Sequence, residues 1–169
     1  KPNRLMLMSH FGRPNGMEEK YSLKQIIPEL EEVMGTSVEL LPHGLSNKTI
    51  KDLSKQKSEI YLLENLRFHV EETQYKSMDM TNNEVYDIIQ QLSDVYVNDA
   101  FGSMHRDHLS ITGVNTAEKS YGYLIEKELN ALHSITKNAS SKKILAIIGG
   151  GKMDDKLKLL KNLSKKVDH

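Results

Sequence analysis

The 169-residue sequence predicts an α/β protein in which helices cover both faces of a parallel sheet. Short apolar runs bounded by turn residues alternate with amphipathic stretches of helical length, as they do where buried parallel strands are joined by crossover helices. Two long polar connections, residues 65–81 and 99–118, each follow a predicted strand. Loops at that end of an open sheet line ligand crevices. We therefore predict a three-layer, Rossmann-like architecture.

The predicted elements alternate along the whole chain. Strands are predicted at residues 4–8, 37–41, 59–63, 95–98 and 143–148, and helices at residues 22–34, 46–55, 82–92, 121–137 and 154–166. Ser22 and Ser46 can cap the first two helices, and Gly35 can end the first. Pro28 lies inside the first helix and predicts either a kink or a later start.

The composition is that of a soluble globular protein. Twenty-three basic and 23 acidic side chains cancel, whereas a general nucleic-acid binder usually has a basic excess. The chain has no cysteine, which excludes disulfides, zinc-thiolate sites and thiol nucleophiles. No apolar run approaches the ~18 residues of a membrane span, and no signal peptide is evident. The expected compartment is the cytoplasm.

Three motifs place an arginine beside, or two residues from, a histidine or glycine just after a predicted strand. Guanidinium stays charged and pairs bidentately with phosphate or carboxylate, so Arg13, Arg67 and Arg106 could converge on one anion. The alternative for each arginine is an unrelated surface salt bridge. The motifs are SHFGRP at residues 9–14, ENLRFH at 64–69 and NDAFGSMHR at 98–106.

The histidines divide into two groups. His10 and His105 could donate to the same anion or titrate near neutral pH. His105 and His108 have a spacing that could suggest a metal pair, but without a third ligand this spacing is usually incidental, and we predict no metal site. The remaining candidates are interpreted as structural or exposed: His43, His69 and His133, together with Asn98 and Asp99, which we expect to hold their own loop.

A second anion site is predicted near the end of the chain. The run GGGK at residues 149–152 follows a predicted strand and opens a helix, where glycines let the backbone approach a phosphate. Lys152 and Lys156 lie four residues apart on one helical face. The run lacks the glycine spacing of a Walker A loop and the Ser or Thr that follows its lysine. Two anion sites in one protein indicate phosphoryl transfer between two phosphorylated molecules.

These motifs resemble the phosphoglycerate kinase family, in family order and over essentially the whole chain. Phe11 replaces the leucine of the family's first motif, Gly151 stands where alanine is usual, and Asp107 replaces a small neutral residue and could compete for Arg106. The family's first strand, with its Arg-x-Asp-Phe-Asn motif, and most of its nucleotide domain have no counterpart here. We therefore expect the fold to be incomplete at both ends.

The resemblance implies reversible phosphoryl transfer from 1,3-bisphosphoglycerate to ADP, giving 3-phosphoglycerate and ATP in glycolysis, with Mg²⁺ arriving on the nucleotide. It implies a substrate domain at residues 1–120, an interdomain helix and linker at 121–141 and the start of a nucleotide domain at 142–169, with hinge closure and a monomeric full-length protein. The implied substrate-binding residues are Ser9, His10, Gly12, Arg13, Leu66, Arg67, His105 and Arg106; the nucleotide-binding residues are Gly150, Gly151, Lys152 and Lys156; and the catalytic residues are Lys152 and Arg106.

Two alternatives stay open at this point. The chain could be a stand-alone, non-catalytic module that binds a small phosphorylated acid. A nucleic-acid binder that uses the lysine-rich C-terminus is a weaker alternative, because residues 158–166 fit the solvated face of one amphipathic helix.

Overall fold

The computed structural model describes residues 4–55, 58–137, 145, 147, 160–162 and 164. It has the predicted α/β architecture. The strands are β1 (Leu5–Leu7), β2 (Glu39–Leu41), β3 (Ile60–Leu63), β4 (Val95–Asn98) and β5 (Glu118–Tyr121); the α-helices are α1 (Ile27–Met34), α2 (Asn47–Leu53), α3 (Val70–Gln74), α4 (Glu84–Gln91) and α5 (Tyr123–Lys137).

Strands β1, β3 and β2 form a parallel sheet with β3 in the centre. Because successive side chains on a strand point to opposite faces, β3 contributes to two separate apolar cores. Tyr61 and Leu63 pack in one core with Val85 and Ile88 of α4, while Ile60 and Leu62 pack in the other. The second core includes Leu23, Val38 and, partly buried, Ile27 and Leu30 near and in α1. The sheet is thus covered on both faces, as predicted.

The predicted end signals of the helices are confirmed. Gly35 adopts a left-handed conformation after α1, and its N–H donates to the carbonyl of Glu31. The Ser46 hydroxyl accepts from the Thr49 N–H at the start of α2. Pro28 marks the later start, because residues Leu23–Ile26 form a 3₁₀ turn that Ser22 caps, and α1 begins only at Ile27.

The fourth strand differs from the prediction. In the described part of the chain, β4 pairs with β5 and not with the three-stranded sheet, so there are two sheets where one was expected. Strand β5 reads Glu-Lys-Ser-Tyr and is exposed along its length, so it has no apolar alternation for a sequence pattern to detect. The connection 99–118 also contains a π-helical turn, Leu109–Gly113.

The chain divides into two compact units, Lys1–Ser120 and Tyr121–His169. Helix α5 lies in the second unit. The predicted strand 143–148 and most of the predicted helix 154–166 fall outside the described residues, although residues 160–162 are helical. The functional domain boundaries stay a prediction. No helix among the described residues is both long and apolar enough to cross a membrane.

Candidate functional site

The first and second arginine motifs leave the sheet at the same edge. Strands β1 and β3 are parallel neighbours, so the segments that follow them emerge side by side. The Leu66 N–H donates to the Ser9 carbonyl across this edge at 3.2 Å. Leu66 itself is buried in the apolar core that contains Tyr61 and Leu63. Both residues therefore help to hold the two loops together, and direct contact of either with a ligand stays a prediction.

Asn65 joins the two loops through both ends of its side chain. It is fully buried, and its Nδ2 donates to the carbonyls of Phe11 at 2.7 Å and Tyr21 at 2.9 Å. Its Oδ1 accepts from the N–H groups of Phe11 and Arg67. These four contacts satisfy the buried amide, and they fix the backbone at Phe11, next to His10, and at Arg67.

Arg67 itself reaches across to the first loop. Its Nη1 donates to the carbonyl of Gly12. Gly12 has a φ of +59°, and the Tyr21 ring occupies the space that a Cβ at this position would need. Only glycine fits such a site without strain. The next residue, Arg13, is exposed.

The electrostatics of Arg67 show that both other predicted arginines act on it. Burial lowers the pKa of the half-buried Arg67 guanidinium, and the positive charges of Arg106 and Arg13 lower it further. The Glu72 carboxylate acts in the opposite direction. Arg67 is thus repelled by a guanidinium from each of the two other loops, and an anion beside it would relieve that repulsion.

The third motif forms a short 3₁₀ turn, Phe101–Ser103, followed by an exposed turn that carries His105 and Arg106. The Asn98 side chain accepts from the Ala100 N–H, which is the loop-holding role that we expected. Asp107 is exposed, and in the described part of the chain no ion pair joins it to Arg106.

The carboxylate whose charge acts on Arg67 is Glu72, which is fully buried on α3. Its Oε1 is 2.6 Å from His10 Nε2 and accepts from the Ser110 hydroxyl at 2.6 Å. Its Oε2 accepts from the Ser110 N–H at 2.9 Å. The Tyr96 hydroxyl donates to the Ser110 carbonyl, and burial, with a contribution from Glu72, raises the pKa of Tyr96 to about 12.

His108 packs beside His10 and Glu72. Its ring meets the His10 ring edge-on at a centroid distance of 5.2 Å, and its buried Nδ1 lies 3.5 Å from Glu72 Oε1 without a hydrogen bond in the described structure. Burial lowers the pKa of His108; Glu72 opposes this, while His10, Arg67 and Arg106 add to it.

The ligand atoms of His10, Glu72 and His108 lie within 4.8 Å of one another, close enough to consider a metal. Two observations oppose it. The Glu72 oxygens already accept from Ser110, and the charges of Arg67 and Arg106 reach His108 and would repel a cation.

The structure therefore places Arg13 and Arg106 where their charges act on Arg67, holds His10 against Glu72, and places His105 in the same turn as Arg106. A ligand role for any of these residues stays a prediction. The predicted nucleotide-binding residues lie outside the described part of the chain: Gly150, Gly151, Lys152 and Lys156.

Sequence reasoning missed Glu72, and it considered His108 only as a partner for His105. Helix α3 has five residues, which is too short for a periodic pattern to show which of Glu71 and Glu72 points inward. His69, by contrast, has the expected structural role, because its Nε2 accepts from the Leu45 N–H at 2.9 Å.

Comparison with known proteins gives one consistent result. The family model described as phosphoglycerate kinase matches residues 1–169. The phosphoglycerate kinase of Tetrahymena pyriformis is 40% identical over 180 residues, which cover 99% of this chain and 47% of that protein. The phosphoglycerate kinase of Candida maltosa is 40% identical over 179 residues, or 99% of this chain and 43% of that protein.

Solved structures agree. The chain superposes on phosphoglycerate kinase from Coxiella burnetii with a TM-score of 0.73 and 30% identity, covering 98% of this chain and 40% of that one. For the kinase from Pyrococcus horikoshii OT3 the TM-score is 0.74 and the identity 28%, covering 98% and 42%. The chain thus spans less than half the length of these relatives.

Proposed function

Because the chain belongs to the phosphoglycerate kinase family, we propose that it supplies the site at which such a kinase binds 3-phosphoglycerate. The observation that supports this most is that the positive charges of Arg13 and Arg106, which come from two other loops, both act on Arg67. A phosphate dianion can accept several charge-assisted hydrogen bonds from such a group, and each is stronger than a neutral one.

The loop contacts support the same proposal. Asn65 and the Gly12 carbonyl fix the backbone on both sides of the arginine group before any ligand arrives. A site of this kind loses little conformational entropy on binding. The proposed ligand contacts are those that the sequence predicted, with Arg106 and His105 reaching in from the third loop.

The proposed reaction is the reversible transfer of a phosphoryl group from 1,3-bisphosphoglycerate to ADP. Such a transfer needs in-line positioning and neutralised charge more than covalent help from the protein. We propose that Arg106 neutralises charge on the glycerate ligand and that Lys152 stabilises the transferred phosphoryl group. The nucleotide, which would carry Mg²⁺, is bound in this proposal by Gly150, Gly151, Lys152 and Lys156. We also propose a cytoplasmic monomer that does not bind nucleic acid.

The test is Arg106→Ala in the protein as its gene encodes it. We expect 3-phosphoglycerate binding to weaken by about 2–5 kcal/mol, because the ligand phosphate would lose a charge-paired partner. Arg4→Ala is the matched control, since Arg4 is exposed before β1 and belongs to none of the three motifs. Calorimetric titration measures both variants.

Unchanged affinity in Arg106→Ala would remove this residue from the site. A kinase assay on the unmodified protein separates the two functional classes, because binding without turnover would favour the non-catalytic module.

A further inference from the structure

Glu72 meets Ser110 and His10 in the interior, and the relative basicity of imidazole and carboxylate decides which group holds the shared hydrogen. Glu72 Oε2 accepts from the Ser110 N–H, and Oε1 accepts from the Ser110 hydroxyl and lies 2.6 Å from His10 Nε2. Because imidazole is the stronger base, we assign the hydrogen of that contact to His10 Nε2 and treat Glu72 as ionised.

The hydrogen on Nε2 leaves Nδ1 as the ring atom of His10 that can face a ligand. In a neutral imidazole one nitrogen donates and the other accepts, so Nδ1 then presents a lone pair. The oxygens of a fully ionised phosphate also present only lone pairs. Neutral His10 held by Glu72 is consequently the wrong partner for a phosphate dianion, unless Nδ1 gains a proton.

The charged groups around His10 decide whether that proton can be held. Glu72 on α3 favours it, at 2.6 Å. The His108 ring lies edge-on to the His10 ring, and the positive charges of Arg67 and Arg106 reach His108. Further positive charge beside these arginines is disfavoured while no ligand is bound. A bound phosphate would neutralise the arginines, and His10 could then hold a second proton.

We infer that Glu72 is a positioning residue for His10, and that binding of a phosphorylated acid takes up one proton from solvent at His10 Nδ1. The proton adds to the Nδ1 lone pair, the resulting imidazolium donates to Glu72 through Nε2 and to the phosphate through Nδ1, and the proton returns to solvent when the ligand leaves. This inference rests on the proposed binding of 3-phosphoglycerate at the arginine group.

The first experiment examines the protein without ligand. Long-range ¹H–¹⁵N NMR spectra at pH 8 distinguish the two neutral imidazole tautomers, and we expect His10 to be the Nε2–H form. A mixture of the two neutral tautomers at His10 would overturn the role of Glu72. This result does not depend on any ligand.

Glu72→Gln should change that tautomer. A glutamine amide has one oxygen and one NH₂ group, so when its oxygen accepts from the Ser110 N–H its NH₂ faces His10 Nε2. His10 can then remain hydrogen-bonded only by moving its hydrogen to Nδ1. Glu71→Gln is the matched control, because the Glu71 carboxylate accepts from Asn83 and not from His10.

The second experiment counts protons. Calorimetric titration of 3-phosphoglycerate at pH 8 in buffers of different ionisation enthalpy gives the protons taken up per ligand, and the ligand phosphate is already doubly ionised there. We expect an uptake of about one proton in the unmodified protein and in Glu71→Gln, since imidazole is ordinarily neutral at this pH. We expect an uptake near zero in Glu72→Gln and in His10→Asn.

The possible outcomes distinguish a failure of the proposed function from a failure of the inference about Glu72 and His10. No binding of 3-phosphoglycerate to the unmodified protein would overturn the proposed function. Binding without proton uptake would overturn only the inference about Glu72 and His10. If Glu72→Gln does not fold, His10→Asn and the tautomer of the unmodified protein still decide between these outcomes.

Discussion

Glu64 and Glu72 are two buried carboxylates eight residues apart, and they differ in what surrounds them. Glu64 directly follows β3, and its oxygens accept from the Ser22 hydroxyl at 2.6 Å, the Leu23 N–H at 2.8 Å and the N–H of its neighbour Asn65 at 2.7 Å. All three partners are neutral. Glu64 thus anchors the turn before α1 to the end of the central strand.

Glu72 is equally buried and equally well hydrogen-bonded, but one of its partners is titratable and its charge acts on Arg67. Burial and complete hydrogen bonding therefore do not distinguish a structural carboxylate from the one that we propose supports a binding site. The chemistry of the partners distinguishes them, and each experiment below tests this difference.

The largest expected effect is the loss of stability on replacing Glu64. Glu64→Ala would leave the Ser22 hydroxyl and the N–H groups of Leu23 and Asn65 without acceptors, and each buried unsatisfied group costs about 1–3 kcal/mol. We expect the free energy of unfolding in urea to fall by about 3 kcal/mol or more. Glu32→Ala, on the exposed face of α1, should change it by less than about 0.5 kcal/mol.

Glu64→Gln sharpens the comparison with Glu72→Gln. The amide oxygen can replace Oε1, which accepts from Leu23 and Asn65, and the Ser22 hydroxyl can turn to accept from the new NH₂ group. The structure therefore accommodates glutamine at position 64. A large loss of stability in Glu64→Gln would mean that its charge matters as well, and the distinction between the two carboxylates would fail.

A smaller effect is expected from His69, on the pH dependence of stability. His69 accepts from the Leu45 N–H, so it must be neutral, and burial lowers its pKa against the opposing charges of Glu71 and Glu72. The unfolded chain takes up a proton near pH 6.5 that the folded chain resists. The free energy of unfolding should therefore be fully retained above that pH, and should decrease as the pH falls through 6.5 towards the lower pKa of the folded protein.

Urea unfolding at pH values between 7.5 and 5.5 measures this slope. In His69→Gln the slope should become shallower, and it should not vanish, because burial also lowers the pKa of His108. An unchanged slope would show that His69 contributes nothing to the acid sensitivity.

Much of this arrangement could be predicted from the sequence, since it depends on local signals. The apolar runs mark β1 to β4, and glycine and serine mark the helix ends. The arginine motifs follow strands, and β1 and β3 are parallel neighbours, so two of the loops had to meet. Proximity of Arg106 to Arg67 depended on a third loop whose path the pattern did not show.

The remaining features depend on contacts between distant residues. Glu72 meets His10 across 62 positions and Ser110 across 38, and nothing in the local sequence separates it from Glu71. Leu66 lies inside the second arginine motif, yet its side chain packs in the core. Strand β5 exists because β4 offers it a partner, and its own four residues have no strand pattern.

The central claim is that three arginines from three loops form one anion site, and the most direct test is a crystal structure of the protein with 3-phosphoglycerate. We predict phosphate oxygens about 2.7–2.9 Å from guanidinium nitrogens of Arg13, Arg67 and Arg106, the distance of charge-assisted hydrogen bonds. A phosphate bound elsewhere, or one that contacts a single arginine while the other two point to solvent, would contradict the claim.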